Sequence, residues 1–257
     1  MYGSRFGIFG NSSKVKQIEM PTHNGEIFSS LKVIDDYIGP LFNIRRSSDN
    51  LTIDVYHNGT NYILLDTYLY SDWISSNTGY VTIWYNQKNI GNNATQIIEA
   101  SQPIFDYINN RINTRTSRFL NTPLGINKPA FTICCKTGAS NSVTSHIAGG
   151  GPYTNGNAAA IYKYNNNTYV LIWWADDLAG GVFSPGNTIV GTHDGITRKL
   201  FLNGSQVSSQ AKAARTGRTN NATIGGGNGA VFFNGDIYNV FIYDLVLSDS
   251  EIANLPI

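Results

Sequence analysis

The chain has 257 residues, 41% of them hydrophobic, enough for one large all-β domain with a sizeable core. Only 14% are charged and the formal net charge is +1, so neither nucleic acid nor an anionic membrane has an electrostatic handle. No run of about eighteen apolar residues offers a membrane-spanning helix, and Asn, Ser, Thr and Gly supply the polarity that a cytosolic enzyme takes from charges.

Residues 1–29 mix Gly, Ser and Lys without periodicity. They read as an N-terminal arm, or an edge segment that docks elsewhere. MYGSRFGIFGNSS holds no apolar stretch long enough for a signal peptide. Removing this arm is expected to leave a folded domain that fails to assemble. Residues 30–257 then form the domain. GPLFNIRRSSDN ends a strand in a polar turn, where Asp49 and Asn50 can bond backbone amides and a buried Arg–Asp pair is expected, with a ligand-contacting loop as the alternative. Leu51, Ile53 and Val55 alternate as a strand. In LLDTYLYSDWI, Leu65, Leu69 and Trp73 lie at i, i+4 and i+8 and predict a short helix with that face inward. In GYVTIWYNQ, Val81, Ile83 and Tyr85 share one face of a strand, and Trp84 faces away from Tyr85. Arg45-Arg46 and the group Arg111, Arg115 and Arg118 read as solvated loop charges.

From residue 129 the β pattern is continuous. FTICCKT reads as a central strand, so Cys134 and Cys135 point to opposite faces, one buried and one exposed or against a second layer. Two free thiols are expected, with a vicinal disulfide as the alternative. No Cys or His spacing suggests zinc. A flexible loop is expected from Gly149 to Asn157. AAAIYKYNNNTYVLIWWADD reads as a hairpin over Asn165–Asn167, and NTIVGTHDGITRKLFLNG as one over Asp194-Gly195. Asn203-Gly204 marks a further hairpin turn. After a glycine-rich turn at 225–229, Phe233, Ile237, Val240, Ile242 and Tyr243 form a long apolar strand. Ser248, with Glu251 three residues on, makes a capping box for a last helical turn. Short strands with such turns and no internal repeat argue one all-β antiparallel sandwich of two sheets.

The stretch RKLFLNGSQV, then NATIGGGNGAVFFNGDIYNVFIYDLVLSDSEIANL, resembles the closing segment of laminin-G-like and concanavalin A-like domains. The resemblance implies a concanavalin A-like jelly roll with one or two short helices. That fold hosts lectins, hydrolases, adhesion modules and viral structural proteins alike. A second stretch carries Arg45, Arg46, Ser47, Ser48, Asp49 and Asn50, then Trp84, Tyr85, Gln87, Gly91, Asn92, Ala94, Thr95 and Gln96. It is similar to a segment of phage tail, other viral and bacterial surface proteins. It is also similar to the opening of the catalytic domain of α-L-arabinofuranosidase B enzymes. That family implies a Glu nucleophile in the second half of the domain, and adjacent cysteines bridged near the sugar pocket. This chain departs from it, because no Glu lies between Glu99 and Glu251. Cys134-Cys135 sits inside a strand pattern, so the cysteine role is not carried over.

Glycoside hydrolysis needs two carboxylates across a sugar. Asp176 and Asp177, behind Trp173-Trp174, are one candidate pair, and Asp194 beside His193 is a second cluster. A glycan-binding surface needs only polar loops and an aromatic platform. Trp173, Trp174, Asp176, Asp177, Tyr153 and Asn157 form that candidate surface. Related laminin-G-like domains bind calcium through Asp and Asn oxygens, but no diagnostic ligand loop stands here, so no metal or cofactor is assigned. The resemblance and the low-charge, Asn-rich composition together lead to an expected role. It is a non-catalytic virion surface component (minor capsid, decoration or tail) that binds glycans. Its expected partners are other capsid or tail proteins, cell-surface glycans and further copies of itself, without nucleic acid or membrane insertion. A glycoside hydrolase and a cellular adhesion or lectin module are the alternatives.

Overall fold

The fold is that of a computed structural model describing residues 21, 23, 25–88, 91–123, 126, 129–150, 158–172, 176–213, 222–227 and 231–256. Its first part holds β1 (Gly25–Ser29), β2 (Phe42–Arg46), β3 (Thr52–His57), α1 (Tyr70–Ile74) and β4 (Gly79–Trp84). A small hairpin follows, β5 (Ile104–Asp106) and β6 (Arg111–Asn113). Then come β7 (Ala130–Ser140), β8 (Ser145–Gly150), β9 (Ala159–Lys163), β10 (Thr168–Ile172) and β11 (Leu178–Val182). The last part holds β12 (Thr188–Asp194), β13 (Thr197–Leu202), β14 (Ser205–Ala211), β15 (Ala222–Ile224), β16 (Gly235–Tyr243) and α2 (Asp249–Ala253).

One layer runs β1–β16–β7–β12–β13–β14, every pair antiparallel. The other runs β11–β10–β9–β8–β15. It continues through Leu120–Asn121 and Ala94–Thr95 to β4, β2 and β3. β6 ties the layers together by pairing with β16 at Ile237 and Asp236. Between the layers, Ile133, Cys135, Ile189 and Val240 share a core with Ile161, Leu171, Phe42 and Trp84. Gly191 shows how close the layers come. A Cβ there would stand 2.8 Å from Ile161 Cδ1 and 2.9 Å from Leu171 Cδ1, so a larger residue would force those two side chains to shift.

The turns follow local chemistry. Asn203 and Gly204 take φ +50° and +81°, both left-handed, as a two-residue hairpin of matching twist requires. Asp194 Oδ1 accepts from the amides of Ile196 and Thr197 at 2.8 and 2.6 Å, with Gly195 at φ +100°. Ser248 and Glu251 complete their capping box on α2.

Several expectations change. The arm does not extend to residue 29, because Gly25–Ser29 is an edge strand paired with β16, and Ile27 and Phe28 are fully buried. Both cysteines are buried free thiols. Cys135 lies between the layers, while Cys134 lies under Leu247, Ile252 and Leu255 of the C-terminal segment. That cover was not visible in the strand pattern. Burial pushes both thiols well above the usual range. The helix turns Tyr70 and Ile74 inward, leaving Leu65 77% and Leu69 39% exposed; the expected periodicity began a turn too early. In β4 the pairing with β2 slips between Asn43 and Ile44. The extra residue is Thr82, and this bulge lets Val81 and Trp84 both face the core. Gly149 and Gly150 of the expected loop belong to β8, Gly149 at φ +134° against Ala160. Residues 151–157 lie outside the described residues. The Arg–Asp pair expected to be buried in RRSSDN is a surface pair, Arg46 with Asp49, and Arg46 also stacks on Trp73 at 4.5 Å.

His146 on β8 is fully buried, with Nε2 3.2 Å from the Thr223 carbonyl. Burial is the main cause that pushes its pKa down to about 4, against hydrogen bonds that raise it. The fold therefore holds the neutral ring, while the unfolded chain gains a proton below about 6.5. Stability should fall as pH drops from about 6.5 towards 4, by a total on the order of 3 kcal/mol. Denaturant melts at pH 7 and pH 4.5 read this directly. An unchanged pH slope in His146→Gln would show that another group is responsible.

Candidate functional site

The carboxylates nominated from sequence lie between β10 and β11. Both carboxylate oxygens of Asp176 are engaged by cations. Its Oδ1 accepts from Arg198 Nη2 at 2.9 Å, its Oδ2 meets Lys212 Nζ, and its carbonyl accepts from Arg198 Nη1. Arg198, on β13, is fully buried and also donates through Nε to Gln210 Oε1 at 3.0 Å. Burial lowers its pKa, while the nearby charge of Asp177 opposes that shift. The cluster is a clamp holding the β10–β11 loop onto β13 and β14. Asp177 accepts from the Tyr164 hydroxyl at 2.6 Å, and burial followed by that bond raises the Tyr164 pKa. The two carboxylates thus face different partners and do not face each other across a gap. Trp173, Trp174, Tyr153 and Asn157 lie outside the described residues. His193 is fully buried, its ring nitrogens 2.7 and 2.9 Å from the carbonyls of Pro129 and Lys212. Asp194 holds its own turn, so that second cluster is structural. Among the described residues, no three His, Cys, Asp or Glu side chains gather around a point that could hold a metal.

A different place has the shape of a site. Beside the β5–β6 hairpin a cleft of about 590 Å³ opens between Ile74–Gly79, the hairpin and residues 113–118. That volume falls in the usual range for small-molecule sites. Ile74, Ile104, Phe105 and Tyr107 line its apolar part. Asn77, Asn113, Asp106, Arg115 and Arg118 supply the polar groups. Tyr107 is fixed edge-on against Tyr70 at 5.3 Å. Gly79 lies against the core, where a Cβ would strike the Tyr70 hydroxyl and stand 2.9 Å from Ile44 Cγ2.

Arg111 organises the electrostatics of this cleft. Its Nε donates to Asp106 Oδ2 at 2.8 Å and its Nη1 to Asp236 Oδ2 at 2.9 Å. Asp236, on β16, is fully buried and also accepts from Asn113 Nδ2 at 2.7 Å. Burial alone would raise the Asp106 pKa, but hydrogen bonds from Asn109 and Arg111 outweigh it and leave the group below its usual range. Asp106 is therefore ionised at neutral pH and cannot donate a proton there. The sequence reading placed Arg111, Arg115 and Arg118 among solvated loop charges. Arg111 instead is half-buried between two carboxylates. Their spacing in RINTRTSR was visible, but Asp236, the partner of Arg111, is 125 residues away.

Comparison with known proteins bears on the fold. The family model described as the concanavalin A-like lectin/glucanases superfamily, Laminin_G_3, matches residues 121–253. No curated protein matches the chain in sequence. A GH54 α-L-arabinofuranosidase soaked with a cyclic sulfate inhibitor superposes with a TM-score of 0.67 at 12% identity, covering 89% of this chain and 62% of that one. An arabinofuranosidase complexed with arabinofuranosyl-α-1,2-xylobiose gives 0.62 at 12% identity, with the same coverage. Trypanosoma rangeli sialidase in complex with sialic acid gives 0.50 at 15% identity, covering 68% of this chain and 30% of that one. The chain thus spans less than two thirds of the length of these enzymes. At such identities the likeness speaks for the fold alone.

Proposed function

The chain belongs to the concanavalin A-like lectin/glucanases superfamily, and on that premise we propose that it is a non-catalytic carbohydrate-binding domain whose site is the cleft beside the β5–β6 hairpin. One observation carries this reading. The cleft offers amide and guanidinium donors beside an apolar wall, but no carboxylic acid able to give up a proton. Sugar binding needs donors and a surface for the ring's apolar face. Hydrolysis needs, in addition, a carboxyl kept protonated opposite a second carboxylate. Asp106 is held ionised by its partners, and Asp176 is held by two cations.

Display on a virion or particle surface, against capsid or tail subunits, remains part of the proposal. It is supported by the resemblance of the RRSSDN and WYNQ segments and by the low charge content. The rival reading is a glycoside hydrolase, favoured by the arabinofuranosidase superposition over 89% of the chain.

One experiment separates them. Purified protein is screened on a glycan array and assayed with 4-nitrophenyl α-L-arabinofuranoside. Binding without turnover is the expected result. Turnover that disappears in Asp176→Asn or Asp106→Asn would establish the hydrolase instead. Asp176→Ala should leave glycan binding in the cleft intact. It should cost about 1–3 kcal/mol of stability, because the buried Arg198 loses a charge-assisted bond while Asp177 stays near. A denaturant melt beside the array reads both.

A further inference from the structure

We propose that the cleft selects acidic glycans, with Arg115 and Arg118 taking the anionic oxygens of the sugar; this rests on the carbohydrate-binding reading and narrows it. Nε and Nη1 of Arg118 and Nε of Arg115 are buried without a protein acceptor. Both residues line the cleft. Buried N–H groups left without acceptors are costly, more so on a charged group. The other arginines of this region are matched: Arg111 is held by two carboxylates, and Arg45 by Gln102 and Asn50. The unmatched guanidinium donors therefore belong to the two arginines that line the cleft.

The loop that carries them is built to hold position. Thr114 donates from its amide to the Gly235 carbonyl at 2.8 Å, and its hydroxyl reaches the carbonyls of Phe233 and Gly235. Asn113 Oδ1 accepts from the Arg115 amide at 3.1 Å. Asn234 Oδ1 accepts from the Thr116 amide at 3.3 Å. Thr116 and Ser117 both stand at positive φ, 62° and 64°, a conformation costly for residues with a Cβ. The Arg118 guanidinium lies 5.2 Å from the Tyr80 ring, which also takes Arg45 at 4.7 Å. Charge favours an anion as well. Arg111, Arg115 and Arg118 stand against Asp106 and Asp236, and both carboxylates are engaged by Arg111. Arg115 Nη2 is 3.8 Å from Asp236 Oδ2, a looser contact that leaves it donors to spare. A guanidinium fork matches the paired oxygens of a carboxylate or a sulfate ester, and the adjoining apolar wall suits the sugar ring that bears it.

The test is calorimetric titration with three probes at low salt: an oligogalacturonate, its fully methyl-esterified form, and a sulfated galactan oligosaccharide without carboxylates. At least one charged probe should bind about tenfold tighter than the neutral ester, and the two charged arms distinguish carboxylate from sulfate. Arg115→Gln and Arg118→Gln should each lose about tenfold for the charged probe and little for the ester. Arg118→Lys keeps the charge but not the fork, so it should recover part of the affinity; it also serves where Arg118→Gln does not fold. Equal affinity for charged and esterified probes would overturn acid selection while leaving carbohydrate binding standing. Undiminished charged-probe binding in both arginine variants would overturn it too. If neither these probes nor any glycan on the array binds, both readings fall.

Discussion

Removal of residues 1–29 is expected to leave a chain without a cooperative unfolding transition. The deletion takes away β1, which pairs with β16 over its whole length from Gly25 to Ser29. Its two central side chains serve both faces of that layer. Phe28 enters the core between the sheets, 5.9 Å from the Trp84 ring, and Ile27 joins the cluster under α2. The strand also satisfies groups that would otherwise be buried alone. The Trp84 indole donates to the Ser29 carbonyl at 3.1 Å, and Asn86 Oδ1 accepts from the Ile27 amide at 2.9 Å. Phe28→Ala by itself should cost about 3–5 kcal/mol, since a buried phenyl is replaced by a cavity. That is a large fraction of the stability of a typical domain. Guanidinium melts followed by tryptophan fluorescence measure both. A truncated protein with the full-length midpoint would show that β1 only decorates the sheet edge and that the arm reading of 1–29 was sound.

What the sequence disclosed and what it hid divide along contact range. Asn203-Gly204, Asp194-Gly195, the three asparagines before Thr168, and Ser248 with Glu251 all act within a few residues, so their turns and cap could be placed from residue chemistry alone. The central position of FTICCKT was legible because both its faces are apolar. The bulge at Thr82 was not, since a single extra residue reverses the alternation without changing composition. The partners of Asp176 were hidden for a related reason. A carboxylate behind two tryptophans suggests a sugar site, but its cations, Arg198 and Lys212, arrive from 22 and 36 positions further on. The cleft was hidden most completely. Asp236, in an apolar strand pattern, looks like a hairpin-flanking residue until β6 is paired with β16.

Arg111→Ala is expected to be the most destabilising single change at the cleft, by about 3–5 kcal/mol, because it strands the carboxylate of Asp236 in a fully buried position. Asn113 would still donate to that carboxylate and Arg115 Nη2 would stand 3.8 Å from it, but a neutral amide and a looser contact do not replace the guanidinium bond at 2.9 Å. The pH dependence supplies a sharper signature. In the wild type the Asp106 pKa is lowered, so its contribution is present above the unfolded value and is lost as pH falls through the folded one. Arg111→Ala removes one of the hydrogen bonds that hold the Asp106 pKa down. Less of that contribution is then present at neutral pH, and less is lost on acidification. The gap between variant and wild type should therefore be widest near pH 7 and shrink towards pH 4. Arg111→Met combined with Asp236→Asn should recover much of the loss, because the desolvated charge leaves with its partner. A gap that stays constant with pH, or a double variant no better than Arg111→Ala, would mean that Arg111 stabilises the fold by the packing of its alkyl chain and not by its charge.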